Sequence, residues 1–181
     1  MIAATYISPL ILGLALFNVV TGAAINSIKN PKVIPGPGLP SLKELGITSE
    51  DLYKMGRPDS SVKTPSIQAR FEPKCGPSDN AYVNVNGIIA CYNYLKNVGD
   101  RNCATPSGLG VAHFCYSGEA EVSGQSYDQK SYSSKCHDVA DAVLWSVDHC
   151  TRADQLVAGF QAATGNGNLI VGSTSKQYIG R

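Results

Sequence analysis

The sequence lacks a charge of either sign to spare. Its 181 residues carry 15 basic and 14 acidic side chains, a formal charge of +1. That excludes nucleic-acid binding by bulk charge, an acidic tail protein and a chain disordered by its composition. Charge is also missing locally, because no charged side chain precedes Lys29. There is no Cys-x-x-Cys pair and no His-x3-His pair, so zinc-ligand spacing is absent. Gly-x-Ser-x-Gly, a glycine-rich phosphate loop ending in Lys-Ser or Lys-Thr, and His-Glu-x-x-His are absent too. No Asn-x-Ser/Thr sequon invites N-glycosylation, and no dibasic pair marks a processing site.

What is present begins with an apolar run, Leu10 to Val20, ending in Thr21-Gly22-Ala23. It is shorter than the ~20 apolar residues of a spanning helix, Pro9 and Asn18 interrupt it, and no basic cluster follows. Residues 1–23 therefore read as a signal peptide cut after Ala23. Residues 24–70 are rich in Pro and Gly and have no cysteine, so they cannot build a core alone. Thr48 and Asp51 resemble a capping box, and Leu45, Leu52, Tyr53 and Met55 give a short apolar turn, which predicts a docking segment rather than a spacer. The segment is +3 against −2 for the rest, which suits docking. It is either a propeptide removed after Arg70, the reading favoured here, or a permanent N-terminal extension.

All six cysteines, Cys75, Cys91, Cys103, Cys115, Cys136 and Cys150, fall in residues 71–181. In an exported chain they predict three disulfides with 15 possible pairings. A helix over 136–150 would hold its end cysteines about 21 Å apart, against a limit of about 7 Å, so Cys136 and Cys150 should not pair and 12 pairings remain.

The cysteine-bearing part reads as a strand over 81–85, then a helix with one apolar stripe (Ile88, Cys91, Tyr92, Leu95, Val98) stopped by Gly99. A strand pair follows around Ser117-Gly118, ended by Gly124. A second helix after Ser133-Ser134 sets Val139, Val143 and Val147 against a solvated face of Asp138, Asp141 and Asp148. Two extended runs, Leu156 to Ala162 and Leu169 to Ser173, flank an Asn-Gly hairpin signal at Asn166-Gly167. The expected class is α+β, with two helices packed on one face of a mainly antiparallel sheet and three disulfides.

The phrases Val33-Ile-Pro-Gly-Pro-Gly-Leu-Pro-Ser-Leu-Lys-Glu-Leu, Phe71-Glu-Pro-Lys-Cys75, Cys136-His-Asp-Val-Ala-Asp and Ala163-Thr-Gly-Asn-Gly-Asn-Leu-Ile-Val171 resemble those of small secreted cysteine-rich fungal proteins grouped as effector candidates. That group shares no one activity. A looser similarity is to fungal killer toxins of the α/β-sandwich type, through a helix ending in a cysteine (Val139 to Cys150) ahead of a glycine-led strand (Gly167 to Val171). It implies a growth-inhibiting or channel-directed role. A dense second cysteine cluster near the C-terminus, part of the toxin pattern, is missing here.

For catalysis the inventory is His113, His137, His149 and Arg152 with Glu119, Glu121, Asp138, Asp141 and Asp148. A small secreted hydrolase such as a ribonuclease would gather a histidine, an acid and Arg152 in one cleft; a recognition protein would scatter them. His137 and His149 sit at helix ends, where a cation suits the dipole. His113 reads as a solvent-facing or hydrogen-bonded strand residue. The Ser-x-x-Lys matches at Ser60 and Ser173 read as chance, and Trp145 as a core anchor. Abundant tyrosines suit protein or glycan recognition. The expectation is an exported monomer without a cofactor or metal that recognises a protein, glycan or membrane-protein target of another cell, with no nucleic-acid partner; a wall or matrix protein is the remaining alternative.

Overall fold

A computed structural model describes residues 30–59 and 71–179. The expected signal peptide with its Ala23 cleavage, the Ser60 motif and the Arg70 processing point lie outside them. Among the described residues, ten strands and four α-helices follow one another as β1 (Val33–Pro35), α1 (Ser49–Lys54), β2 (Lys74–Cys75), β3 (Val83–Asn84), α2 (Val85–Val98), β4 (Asn102–Thr105), β5 (Val111–Ser117), β6 (Ala120–Ser126), β7 (Tyr132–Lys135), α3 (Cys136–Cys150), β8 (Leu156–Val157), β9 (Gly159–Ala163), β10 (Asn166–Ser175) and α4 (Lys176–Ile179). The main sheet has six strands in the order β1-β5-β6-β10-β9-β2, every neighbour antiparallel. Helix α2 packs on β5 and β6, α3 on β9 and β10, and the two helices on each other. The class is α+β, as the hydrophobic pattern requires.

Local signals set most of the elements. Asn84 caps α2 by accepting the Asn86 amide, and Gly99, at φ 69°, ends it. Val139, Val143, Leu144 and Val147 of α3 are buried, while Asp138, Asp141 and Asp148 keep partial access to water. Residues 81–85 are not one strand: a 3-10 turn (Asp79–Ala81) leads into two-residue β3, and α2 has already started at Val85 because Asn84 supplies its cap. Nor does Gly124 end β6. The strand runs on to Ser126, and a Cβ on Gly124 would stand 2.5 Å from the Phe114 ring, so the glycine makes room for that ring.

The second hairpin turns one step earlier than its Asn-Gly signal. Asn166 pairs with Ala163, so the loop is Thr164-Gly165 with Gly165 at φ 78°, and Asn166-Gly167 falls in a register shift inside β10. The run from Leu156 divides at Ala158: β8 pairs with β3, and β9 joins the main sheet. Strands β4 and β7 form a separate ladder that local sequence does not announce.

Disulfides join Cys75 to Cys150, Cys91 to Cys115 and Cys103 to Cys136. They tie β2 to the end of α3, α2 to β5, and β4 to the start of α3. Cys136 and Cys150 take different partners, as helix length demands.

Residues 30–59 of the Pro/Gly-rich segment are part of this fold. Strand β1 adds an edge to the main sheet by pairing Val33, Ile34 and Pro35 with Ser117, Tyr116 and Cys115. Thr48 and Asp51 form the capping box of α1, and Leu52 is 0% exposed. Because α1 and α3 cover α2 from two further sides, α2 is buried nearly all round rather than along a single stripe, with Asn93 and Tyr94 among its buried residues.

Candidate functional site

Alternation along the strands assigns the two faces of the sheet. Cys115, bonded to α2, and its partner Val122 face the helices. Tyr116, Glu121, Ser123, Thr174, Gly172 and Phe160 therefore point to the helix-free side. On that side a register shift between His113 and Cys115 brings His113 Nδ1 into hydrogen-bonding contact with Glu121 Oε1. The imidazole is 38% exposed and the carboxyl 2%. The Tyr116 ring stacks on His113 at 5.7 Å. Burial raises the Glu121 pKa above its ordinary value, and the bond and charge of His113 pull it back only in part. Burial also raises Tyr116, with the Glu121 charge adding to it. The result is an imidazole oriented by a buried carboxyl group and open to solvent on its other side.

The remaining titratable groups of the sequence inventory do not join that pair. His137 sits between Asp100 and Asp138, 3.2 Å from each. His149 donates from Nδ1 to the Trp145 carbonyl at 2.9 Å and stacks on the indole at 4.8 Å. Arg152 contacts Asp79 at 2.8 Å and Asp154 at 3.0 Å, and its guanidinium lies 4.3 Å over the Tyr82 ring. Those two carboxylates hold the Arg152 pKa above its ordinary value. His137 and His149 stand at opposite ends of α3, about 18 Å apart along its axis. Each group thus has its own set of partners, and only His113 is matched with a buried acid. Trp145 is half-buried at the margin of the core rather than an interior anchor, because its stacking partner His149 is exposed. Asp141 pairs with Lys96 and Asp148 with Arg57.

Clefts open on the surface of the described residues, and two of them bear on function. The first, about 370 Å³, lies on the helix-free side where β2, β9, β10 and the end of β6 meet; Phe71, Tyr127, Phe160 and Ile170 line it, with Lys74 and Gln125 at its polar edge. The Phe71 and Tyr127 rings meet edge to face at 6.5 Å, and Tyr127 is 52% exposed. The peptide bond between Gly76 and Pro77 beside it is cis. Sequence reasoning did not gather these residues, since they come from four strands and the connections between them. The signal that could have flagged part of the site is the aromatic pair bracketing the cysteine-bearing part, Phe71 just before Cys75 and Phe160 in β9. The second cleft, about 380 Å³, lies between the N-terminal segment (Tyr53, Gly56, Arg57) and α2 (Val85, Asn86, Ile89). Among the described residues no group of three or more His, Cys, Asp or Glu is placed to hold a metal, and no helix is long and apolar enough to cross a membrane. All six cysteines are consumed in disulfides.

Residues 70–174 match the model of a family described as a domain of unknown function, DUF8794. No curated protein and no solved structure matches the chain. The matched span covers β2 to β10 with α2, α3 and all three disulfides, and the chain belongs to the DUF8794 family, with β1 and α1 lying ahead of the family's domain.

Proposed function

We propose that the chain is exported and works outside the cell that makes it, as an effector-like or toxin-like protein that recognises a target on a host or competitor cell. The observation that carries this reading is the aromatic cleft on the helix-free face of a sheet that two disulfides, Cys75–Cys150 and Cys91–Cys115, tie to the helices behind it. A cleft of this size with mostly apolar walls and a few polar groups at its edge suits ligand recognition. Complete pairing of the cysteines suits an oxidising compartment. The apolar run at residues 10–20 would supply the export signal.

The His113–Glu121 pair favours a second reading, a small secreted hydrolase. A base held by a third group is the arrangement that general-base catalysis uses. Arg152, which that reading would want beside the base, is instead engaged with Asp79 and Asp154.

The test separates the two. Oxidised, fluorescently labelled protein is added to living cells of candidate hosts and competitors, and saturable surface binding is measured for the parent, Tyr127→Ala and His113→Asn chains. Recognition through the cleft predicts that Tyr127→Ala loses at least tenfold in affinity while His113→Asn binds and acts like the parent. Loss of the cellular effect with His113→Asn alone, binding intact, would replace recognition with the hydrolase.

A further inference from the structure

No cysteine precedes Cys75, so no disulfide ties residues 30–59 to the domain. The arm is nonetheless fitted to a groove bounded by the edge of β5 and the side of α2. At one end β1 pairs with β5, and the Gly36 amide extends the ladder by donating to the Phe114 carbonyl at 2.9 Å. A Cβ on Gly36 would lie 1.7 Å from the His113 carbonyl oxygen, so the groove accepts only glycine there.

Further along, the groove presents buried polar groups that bond to the arm. The Tyr94 hydroxyl donates to the Pro40 carbonyl at 2.8 Å. The Asn93 amide donates to the carbonyls of Leu52 at 2.9 Å and Gly56 at 3.1 Å. Tyr53 and Ser117 share a hydrogen bond between their hydroxyls at 2.7 Å. Leu52 is fully buried, and Arg57 closes the far end on Asp148 at 2.7 Å. Departure of the arm would exchange these bonds for bonds to water and expose the apolar surface that Leu52 buries, and both oppose it.

We propose that this groove is a binding site for the segment 30–59 as a separate chain. A cut between residues 60 and 70, the stretch that holds Lys63 and Arg70, then yields a two-chain protein whose arm stays bound without a covalent link and exchanges with free arm peptide. A segment expected from its sequence to leave after processing would remain as a bound peptide ligand. Its release would open a groove that selects an extended Val-x-Pro-Gly stretch followed by a short capped helix carrying one leucine. The inference concerns the arm and its groove alone and holds whatever the target of the aromatic cleft.

A recognition sequence for a site-specific protease is placed within residues 60–70 of the full chain. The oxidised protein is cleaved, then passed over a sizing column without denaturant or reductant. The proposal expects arm and domain to elute together, and a labelled 30–59 peptide in excess to be taken up as the original arm is displaced. Peptides carrying Leu52→Ala or Gly36→Ala should compete at least tenfold less well, and Arg57→Ala measurably less well with the apolar contacts kept. Loss of the arm from the cleaved protein overturns the proposal. So does an arm that stays but never exchanges, because it would then be a permanent strand of the fold.

Discussion

Glu121 is a carboxyl group placed on a sheet face yet almost wholly withdrawn from water, and burial lifts its pKa above the ordinary 4.5. A group more easily protonated when folded stabilises the fold below its ordinary pKa, and that contribution is lost as pH rises through the raised value. Melting temperature should therefore fall as pH climbs from the ordinary glutamate range through that value. Glu121→Gln, which keeps a hydrogen-bond acceptor for His113 and cannot ionise, should flatten that part of the profile. A thermal-unfolding series across the acid range checks this, and an unchanged slope in the variant would mean that the carboxyl is not the group responsible. Residue-scale pairing of this kind was only half legible. His113 and Glu121 stood in the sequence inventory, but eight residues of separation do not reveal that a register shift turns them toward each other across a hairpin.

At the scale of elements, the Thr164-Gly165 turn makes a sharp contrast with the neighbouring Asn166-Gly167. Gly165 has a left-handed backbone and Gly167 does not. Gly165→Ala should cost about 1 kcal/mol, because a side chain is strained at positive φ, whereas Gly167→Ala should cost little. Denaturant unfolding of the two variants checks the order, and the reverse order would put the turn back on Asn-Gly.

The same hairpin shows what sequence could and could not deliver. Both helices, both hairpins and the capping box of α1 rest on signals within a few residues: Asn84 and Gly99 at the ends of α2, the valines of α3, Thr48 beside Asp51. Strand order, the β4–β7 ladder, the split at Ala158 and the burial of α2 on three sides rest on contacts between distant segments, which a periodic pattern does not encode. The aromatic cleft was hidden for that reason, since Phe71, Tyr127, Phe160 and Ile170 become neighbours only once the sheet is ordered β6-β10-β9-β2.

For the whole molecule, the three disulfides and the arm share the work of closing a small core. The pairings fasten β2, β4 and β5 to the two helices that cover the sheet, while the arm covers the edge of β5 and the outer side of α2 without any covalent link of its own. A protein built this way keeps its disulfide framework even if the arm is cut from the domain. The central proposal follows from this: an exported chain with a recognition face on a disulfide-tied framework. Its most direct test is mass spectrometry of the protein recovered from the culture fluid of the cell that makes it, intact and as peptides, before and after reduction. The account predicts a chain starting near Ala24, with or without a cut ahead of Phe71, six hydrogens lighter before reduction, with Cys75–Cys150, Cys91–Cys115 and Cys103–Cys136 as its cross-linked peptides. Free thiols, other pairings, or a chain that keeps Met1 and stays inside the cell would contradict it.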